Sequence, residues 1–252
     1  SLEDQAKQPF LNAVEMANAN RASVVADVAA ASYADDFRAL YGSGIFSDTD
    51  RAYEKIALAL AAYERSSEVN PFSSKFDAYL AGRANLSAQE LRGLALFRNP
   101  SKGNCEACHP STGDAPVFTD FTNDNLGVPK NSSNPFYTVS ATFNPDGAAF
   151  IDRGLGATSR ADSTFDGKFK VPTLRNVAIT GPYMHNGVFT SLDEVLRFYN
   201  TACIAGNPEG WASPEIASTR NCSELGDLGL TSEEISDLIA FLRTLTDGYF
   251  QP

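Results

Sequence analysis

Cys105-Glu106-Ala107-Cys108-His109 is the stretch on which the reading of this chain turns. Two thiols three residues apart, followed at once by an imidazole, form the Cys-x-x-Cys-His spacing of c-type haem attachment. Thiols at that spacing reach the two vinyl groups of one haem, and the imidazole falls under the iron as proximal ligand. A redox dithiol of the thioredoxin kind would sit in a βαβ context, and no such pattern surrounds the motif. A zinc site would need two further ligands, and the only other histidine is His185. The motif predicts one covalently bound haem c, held by Cys105, Cys108 and His109.

Working outward, residues 86–97 carry a helix signature. Ser87 and Glu90 make a capping box, and Leu86 and Leu91 a hydrophobic staple. Further back, Val24, Val25 and Val28 recur at helical spacing in 21–31, as do Tyr53, Ile56, Leu60 and Tyr63 in 48–66. A short third piece covers 72–82. Gly82 marks a boundary, dividing the chain into 1–82 and 83–252. Downstream, 110–170 is rich in Gly, Asn, Ser, Thr and Pro; an irregular stretch of that length is usually functional or wrapped on something. Its aromatics (Phe118, Phe121, Phe136, Tyr137, Phe143, Phe150, Phe165, Phe169) are expected to pack on a haem and its helices. Ser191 with Glu194 starts a helix over 192–200. Thr231 with Glu234 starts the last one, whose Ile235, Leu238, Ile239, Leu242 and Leu245 share a face. The expected fold is mostly α: a c-type cytochrome fold with long irregular loops around haem and little sheet.

The 252 residues hold 20 Lys plus Arg against 31 Asp plus Glu, a net charge of −11. That balance disfavours nucleic acid, which needs a basic face. A hydrophobic fraction of 43% supports a real core. No run of eighteen apolar residues predicts a membrane span. Covalent haem attachment happens outside the cytoplasm, so the expected compartment is periplasmic. Cys203 and Cys222 fit it: a disulfide would staple the Gly/Pro/Ser-rich segment between them, with two free buried thiols as the alternative. The start at Ser1, without initiator Met or signal peptide, is read as the removal of something upstream. With two Met and two His in the chain, the candidates for the sixth iron position are Met16, Met184, His185 and the tyrosines. A generic electron carrier would use a thioether, which favours Met184. Tyr199 competes. It shares a helical face with Leu192, Val195 and Leu196, and points inward as either ligand or core.

Several motifs, in order, resemble one family. The run 169–187, Phe-Lys-Val-Pro-Thr-Leu-Arg-Asn-Val-Ala-Ile-Thr-Gly-Pro-Tyr-Met-His-Asn-Gly, is similar to the C-terminal haem domain of bacterial dihaem cytochrome c peroxidases and the related MauG enzymes. Ala59-Leu-Ala-Ala-Tyr-Glu-Arg65 and Arg92-Gly-Leu-Ala-Leu-Phe97 also match. The resemblance implies a distal ligand from the helix after Pro-Tyr-x-His-x-Gly: Met in the peroxidases, Tyr in MauG. Here that position, fourteen residues after His185, is Tyr199. The family has two haems, each with its own motif, and this chain has one motif. Residues 1–16 look like the segment covering the distal face of the N-terminal, peroxide-reacting haem. Gln5, Pro9 and Glu15 match its distal-pocket positions, and Glu15 would be the acid–base group. On this reading 1–82 is the trailing part of an N-terminal haem domain. Its haem would lie on a missing portion or a partner chain, or have been lost.

Thr180 and Pro182 lie where the family supplies backbone oxygens to a calcium. Arg175 is a candidate for a haem propionate, and His185 for a propionate or a supporting contact. The implied activity is an oxidoreductase that uses hydrogen peroxide to oxidise a protein substrate through a His109/Tyr199 haem. The alternatives are a cytochrome c peroxidase fed by a small cytochrome and a non-catalytic monohaem carrier. One departure stands out. MauG has a surface Trp two residues before the first haem Cys; here that position is Gly103, and the only Trp is Trp211, which leaves the protein substrate open.

Overall fold

The structure, a computed structural model, describes residues 1–158 and 162–250. The chain divides into two compact units, Ser1–Pro71 and Phe72–Pro252.

The first unit is helical: α1 (Leu2–Ala6), α2 (Gln8–Leu11), α3 (Arg21–Ala30), α4 (Ala34–Tyr41) and α5 (Thr49–Glu64). Asn20 and Ser23 form a reciprocal cap on α3, and Asp48 accepts the Arg51 N–H at the start of α5. Phe10, Val24, Val25, Phe37, Tyr53 and Ile56 make the core. The expected apolar face of α5 is only half buried. Tyr53 and Ile56 are inside, but Leu60 is 39% and Tyr63 52% exposed. The buried line runs instead through Ala57 and Ala61, whose small side chains let α1 lie close across α5. Lys7 and Arg65 pair with Glu54 and Glu3 along that seam, at 3.0 and 2.6 Å. After α2 the chain turns with Leu11, Val14 and Met16 exposed.

The second unit holds α6 (Lys75–Leu80), α7 (Ala88–Arg98), α8 (Leu192–Thr201) and α9 (Ser232–Arg243). The capping boxes at Ser87/Glu90, Ser191/Glu194 and Thr231/Glu234 are all formed. The staple is not. Leu86 joins the core, while Leu91 remains 42% exposed. Helix α6, from the piece the sequence places before Gly82, packs in this unit, with the Phe76 N–H on the Thr244 carbonyl. The core is built on α7 against α9: Phe97 meets Phe241 edge-on at 5.1 Å, and Phe241 meets Phe76 at 5.3 Å. The two helices touch at Gly93, and Arg92 forks onto Asp237 at 2.7 and 2.9 Å.

Among the described residues between α7 and α8, the chain is irregular apart from short 3-10 turns and one antiparallel pair of strands. Its strands β1 (Asn123–Asp124) and β2 (Phe169–Lys170) match Asn123 to Lys170. The fold is mostly α with little sheet, as expected. The loop aromatics divide. Phe118 joins the core, Phe136, Tyr137 and Phe150 pack on one another, and Phe121 and Phe143 stay exposed. Among the described residues no helix is long and apolar enough to cross a membrane.

Candidate functional site

Past the end of α7, Asn104 takes a left-handed conformation and opens a 3-10 turn over Cys105–Ala107. The Cys108 and His109 N–H groups both return to the Cys105 carbonyl, at 3.3 and 2.9 Å. One turn therefore carries both thiols and the imidazole. His109 Nδ1 lies 2.8 Å from the Phe118 carbonyl, which can only accept. Nδ1 thus holds the proton, and Nε2 keeps its lone pair for a metal. Neither cysteine is in a disulfide. Burial pushes Cys105 up to about 12 and Cys108 to about 11. A redox dithiol has the opposite tuning. Among the described residues no three His, Cys, Asp or Glu side chains are placed to hold a metal ion.

Cys105, Cys108 and His109 open onto a cavity of about 400 Å³ with largely apolar walls. The opposite wall comes from α8. Its capping box starts the helix, and Leu192, Val195, Leu196 and Tyr199 all face the cavity. Burial pushes the Tyr199 phenol above its usual range, with the thiols and Asp124 adding to the effect. The end of α8 is locked three ways. Gly226 donates to the Tyr199 carbonyl and Cys203 to the Gly226 carbonyl, at 2.6 and 2.8 Å. Asn200 exchanges two hydrogen bonds with Leu230. Cys203 and Cys222 form a disulfide, with Cα atoms 5.8 Å apart. Two thiols, an imidazole with a free lone pair and a phenol around one apolar cavity suit a covalently held haem.

A family model described as di-haem cytochrome c peroxidase matches residues 1–85. The methylamine utilization protein MauG of Paracoccus denitrificans is 39% identical across 100% of this chain and 66% of its own length. A solved MauG-like protein associated with microbial copper homeostasis matches with a TM-score of 0.71 and 30% identity, over 100% of this chain and 72% of that one. This chain belongs to the dihaem cytochrome c peroxidase/MauG family. The diheme peroxidase BthA from Burkholderia thailandensis is also similar, with a TM-score of 0.80 and 33% identity over 99% of this chain and 64% of that one. The chain spans about half to two-thirds of the length of the curated relatives it matches.

For this family member, the residues singled out in the sequence fall into three groups. Met184, His185, Thr180 and Pro182 line the cavity together with the thiols and Tyr199. The His185 ring stacks on Phe169 at 3.5 Å, and burial lowers its basicity. Arg175 is not in the cavity wall. Its guanidinium forks onto Asp77 at 2.7 and 3.0 Å and donates to the Pro116 carbonyl. Gln5, on α1, and Glu15, in the turn after α2, are exposed, and Pro9 lies in the first turn of α2.

Gly103, which stands where MauG has its Trp, has a structural reason. A Cβ there would lie 2.5 Å from the Leu96 carbonyl oxygen. Trp211 instead packs edge-on against Phe189 and Phe198 behind α8.

Sequence reading missed the acidic residues of the wall: Asp124, Asp152, Glu215 and Glu224. They sit in segments without periodicity, and no local pattern marks them.

Proposed function

We propose that this chain is the haem-binding part of a MauG-like dihaem oxidoreductase that uses hydrogen peroxide to oxidise a protein substrate. The observation that carries the reading is the meeting of Cys105, Cys108, His109 and Tyr199 on one apolar cavity. The thiols would become thioethers, His109 Nε2 the proximal ligand and Tyr199 Oη the distal one. The haem, when bound, supplies the one-electron and peroxide chemistry. The chain's own part is placement. The Phe118 carbonyl sets the His109 tautomer, and the α8 locks hold Tyr199. Burial keeps the Tyr199 phenol protonated unless a positive centre faces it, so a phenolate there implies a ferric partner.

The second haem belongs to the remainder of the protein or to a partner chain, with Gln5, Pro9 and Glu15 over its distal face. The exposed Leu11, Val14 and Met16 beside them support a covered surface there. Backbone oxygens of Thr180 and Pro182 are the proposed calcium donors. The disulfide supports a periplasmic, oxidising setting.

Met184 in the same wall favours a second reading, a cytochrome c peroxidase with thioether ligation that draws electrons from a small cytochrome. Intact mass under denaturing conditions counts covalent haems. Stoichiometric peroxide then separates the readings. A MauG-like enzyme gives a long-lived spectral change without prior reduction. A peroxidase turns over reduced cytochrome, and a carrier shows no rapid change. A thioether charge-transfer band that survives Tyr199→Phe and disappears in Met184→Leu would overturn the Tyr199 assignment.

A further inference from the structure

One carboxyl group in the cavity wall has no role in the reading above. Glu215 lines the cavity, and its backbone N–H is tied to the Val128 carbonyl. One side-chain oxygen, Oε1, accepts the Asp152 N–H at 3.3 Å. The other, Oε2, is buried without a partner among the described residues. An ionised carboxylate with an empty buried oxygen is costly, and the neutral acid much less so.

The charged and titratable groups facing Glu215 do not relieve it. The Asp152 carboxylate repels it. Lys130 is attractive, but its ammonium is engaged by the Ala148 and Phe150 carbonyls, both at 2.7 Å, and lies 4.2 Å from the Tyr137 ring. The Tyr137 phenol is itself pushed above its usual range, chiefly by burial. His185 is made less basic by burial, with Asp152 acting in the opposite sense. The net effect on Glu215 is a carboxyl above its usual range, chiefly through burial.

The cavity has two acidic poles. Glu224, Asp120 and Asp124 bear on Cys108, whereas Asp152 and Glu215 bear on Tyr137.

We propose that Glu215 is a neutral carboxylic acid in the ferrous protein and releases one proton each time the haem of this cavity is oxidised. With haem bound, the electron removed on oxidation would go to the electrode mediator used in the test. The Glu215 O–H bond breaks, the proton goes to water, and the carboxylate stays behind to balance the added positive charge. Reduction reverses both transfers. The effect is electrostatic: charge added at the iron is felt strongly by a carboxyl screened from solvent.

The inference rests on haem binding in this cavity, and the test keeps the two apart. The midpoint potential of the holoprotein is measured against pH by spectroelectrochemistry in wild type, Glu215→Gln and Glu215→Asp. Wild type should fall with the slope of one proton per electron in a window above the ordinary Glu value of about 4.3. Glu215→Gln should be flat across that window with an unchanged haem spectrum, and Glu215→Asp should keep a slope. Asp152→Asn keeps the N–H contact and removes the repelling charge, so it should move the window to lower pH. It serves if the Gln variant fails to fold. Wild-type haem with no slope, the same slope in Glu215→Gln, or an unmoved window in Asp152→Asn overturns the proposal. In the second case the proton belongs to a propionate. A protein without covalent haem overturns the haem reading, and this one with it.

Discussion

Replacing Gly93 by Ala asks how closely the second unit depends on one helix crossing. A Cβ on Gly93 would stand 2.0 Å from the Asp237 carbonyl oxygen, 2.7 Å from its carbon and 2.8 Å from Phe241 Cβ. The first two neighbours are backbone, so no rotamer change removes the clash. Ordinary contact begins near 3.4 Å, and α7 and α9 would have to part by about 1.5 Å to reach it. Five buried side chains bridge the seam: Leu94, Phe97, Leu238, Phe241 and Leu242. Each contributes about 2 kcal/mol by burial, and a gap of that order forfeits about a quarter or more of the contact energy. That gives a loss of about 2–3 kcal/mol, to which overpacking strain adds about 1–3 kcal/mol. The expected total is about 3–6 kcal/mol, enough to threaten a domain of ordinary stability. Urea unfolding of wild type and Gly93→Ala, followed by circular dichroism, measures it. A loss below about 1 kcal/mol would refute the reasoning, because the seam would then be free to relax.

Other outcomes follow from the same geometry. Cys203→Ser/Cys222→Ser removes a cross-link spanning 19 residues, and chain entropy puts its cost at about 3 kcal/mol; the same loss should appear when wild type is unfolded in reductant, and an indifference to reductant would contradict it. Asp77→Asn breaks a pair whose Arg175 and Asp77 side chains are only 11% and 6% exposed, so denaturation should show about 3–5 kcal/mol of destabilisation.

Burial pushes the Asp77 carboxyl up, but hydrogen bonds from Arg175 and Ser74 outweigh it and hold it below the usual range. The stability it contributes is therefore present above about pH 3.9 and is lost as pH falls through the depressed value. A melting temperature that drops equally in wild type and Asp77→Asn on acidification would remove Asp77 from that account. For Tyr199→Met, ferric stabilisation by an oxygen ligand should give way to a higher haem potential, and an unchanged potential would count against Tyr199 as ligand.

What could be read from the sequence was what is local. The Cys105–His109 motif and the capping boxes of α7, α8 and α9 each complete themselves within five residues, so they needed no tertiary information. Helix α4 escaped notice because its N-cap, Tyr33, makes no side-chain cap, and α1 and α2 are too short to show a period. Arg175 looked like a propionate partner because a guanidinium matches carboxylate geometry. The structure gives its guanidinium to Asp77, 98 residues away. Glu215 and Asp152 are joined by one hydrogen bond across 63 residues of mostly irregular chain, and no period connects them.

The cavity wall is gathered from the turn at Cys105–Ala107, the Tyr183–His185 bend, α8 and the loop closed by the disulfide. A haem bonded at both thiols, as proposed for this cavity, would touch segments that lie far apart in the chain. Such a haem would act as a cross-link as much as a cofactor, tying the turn, the bend and α8 to one rigid plane.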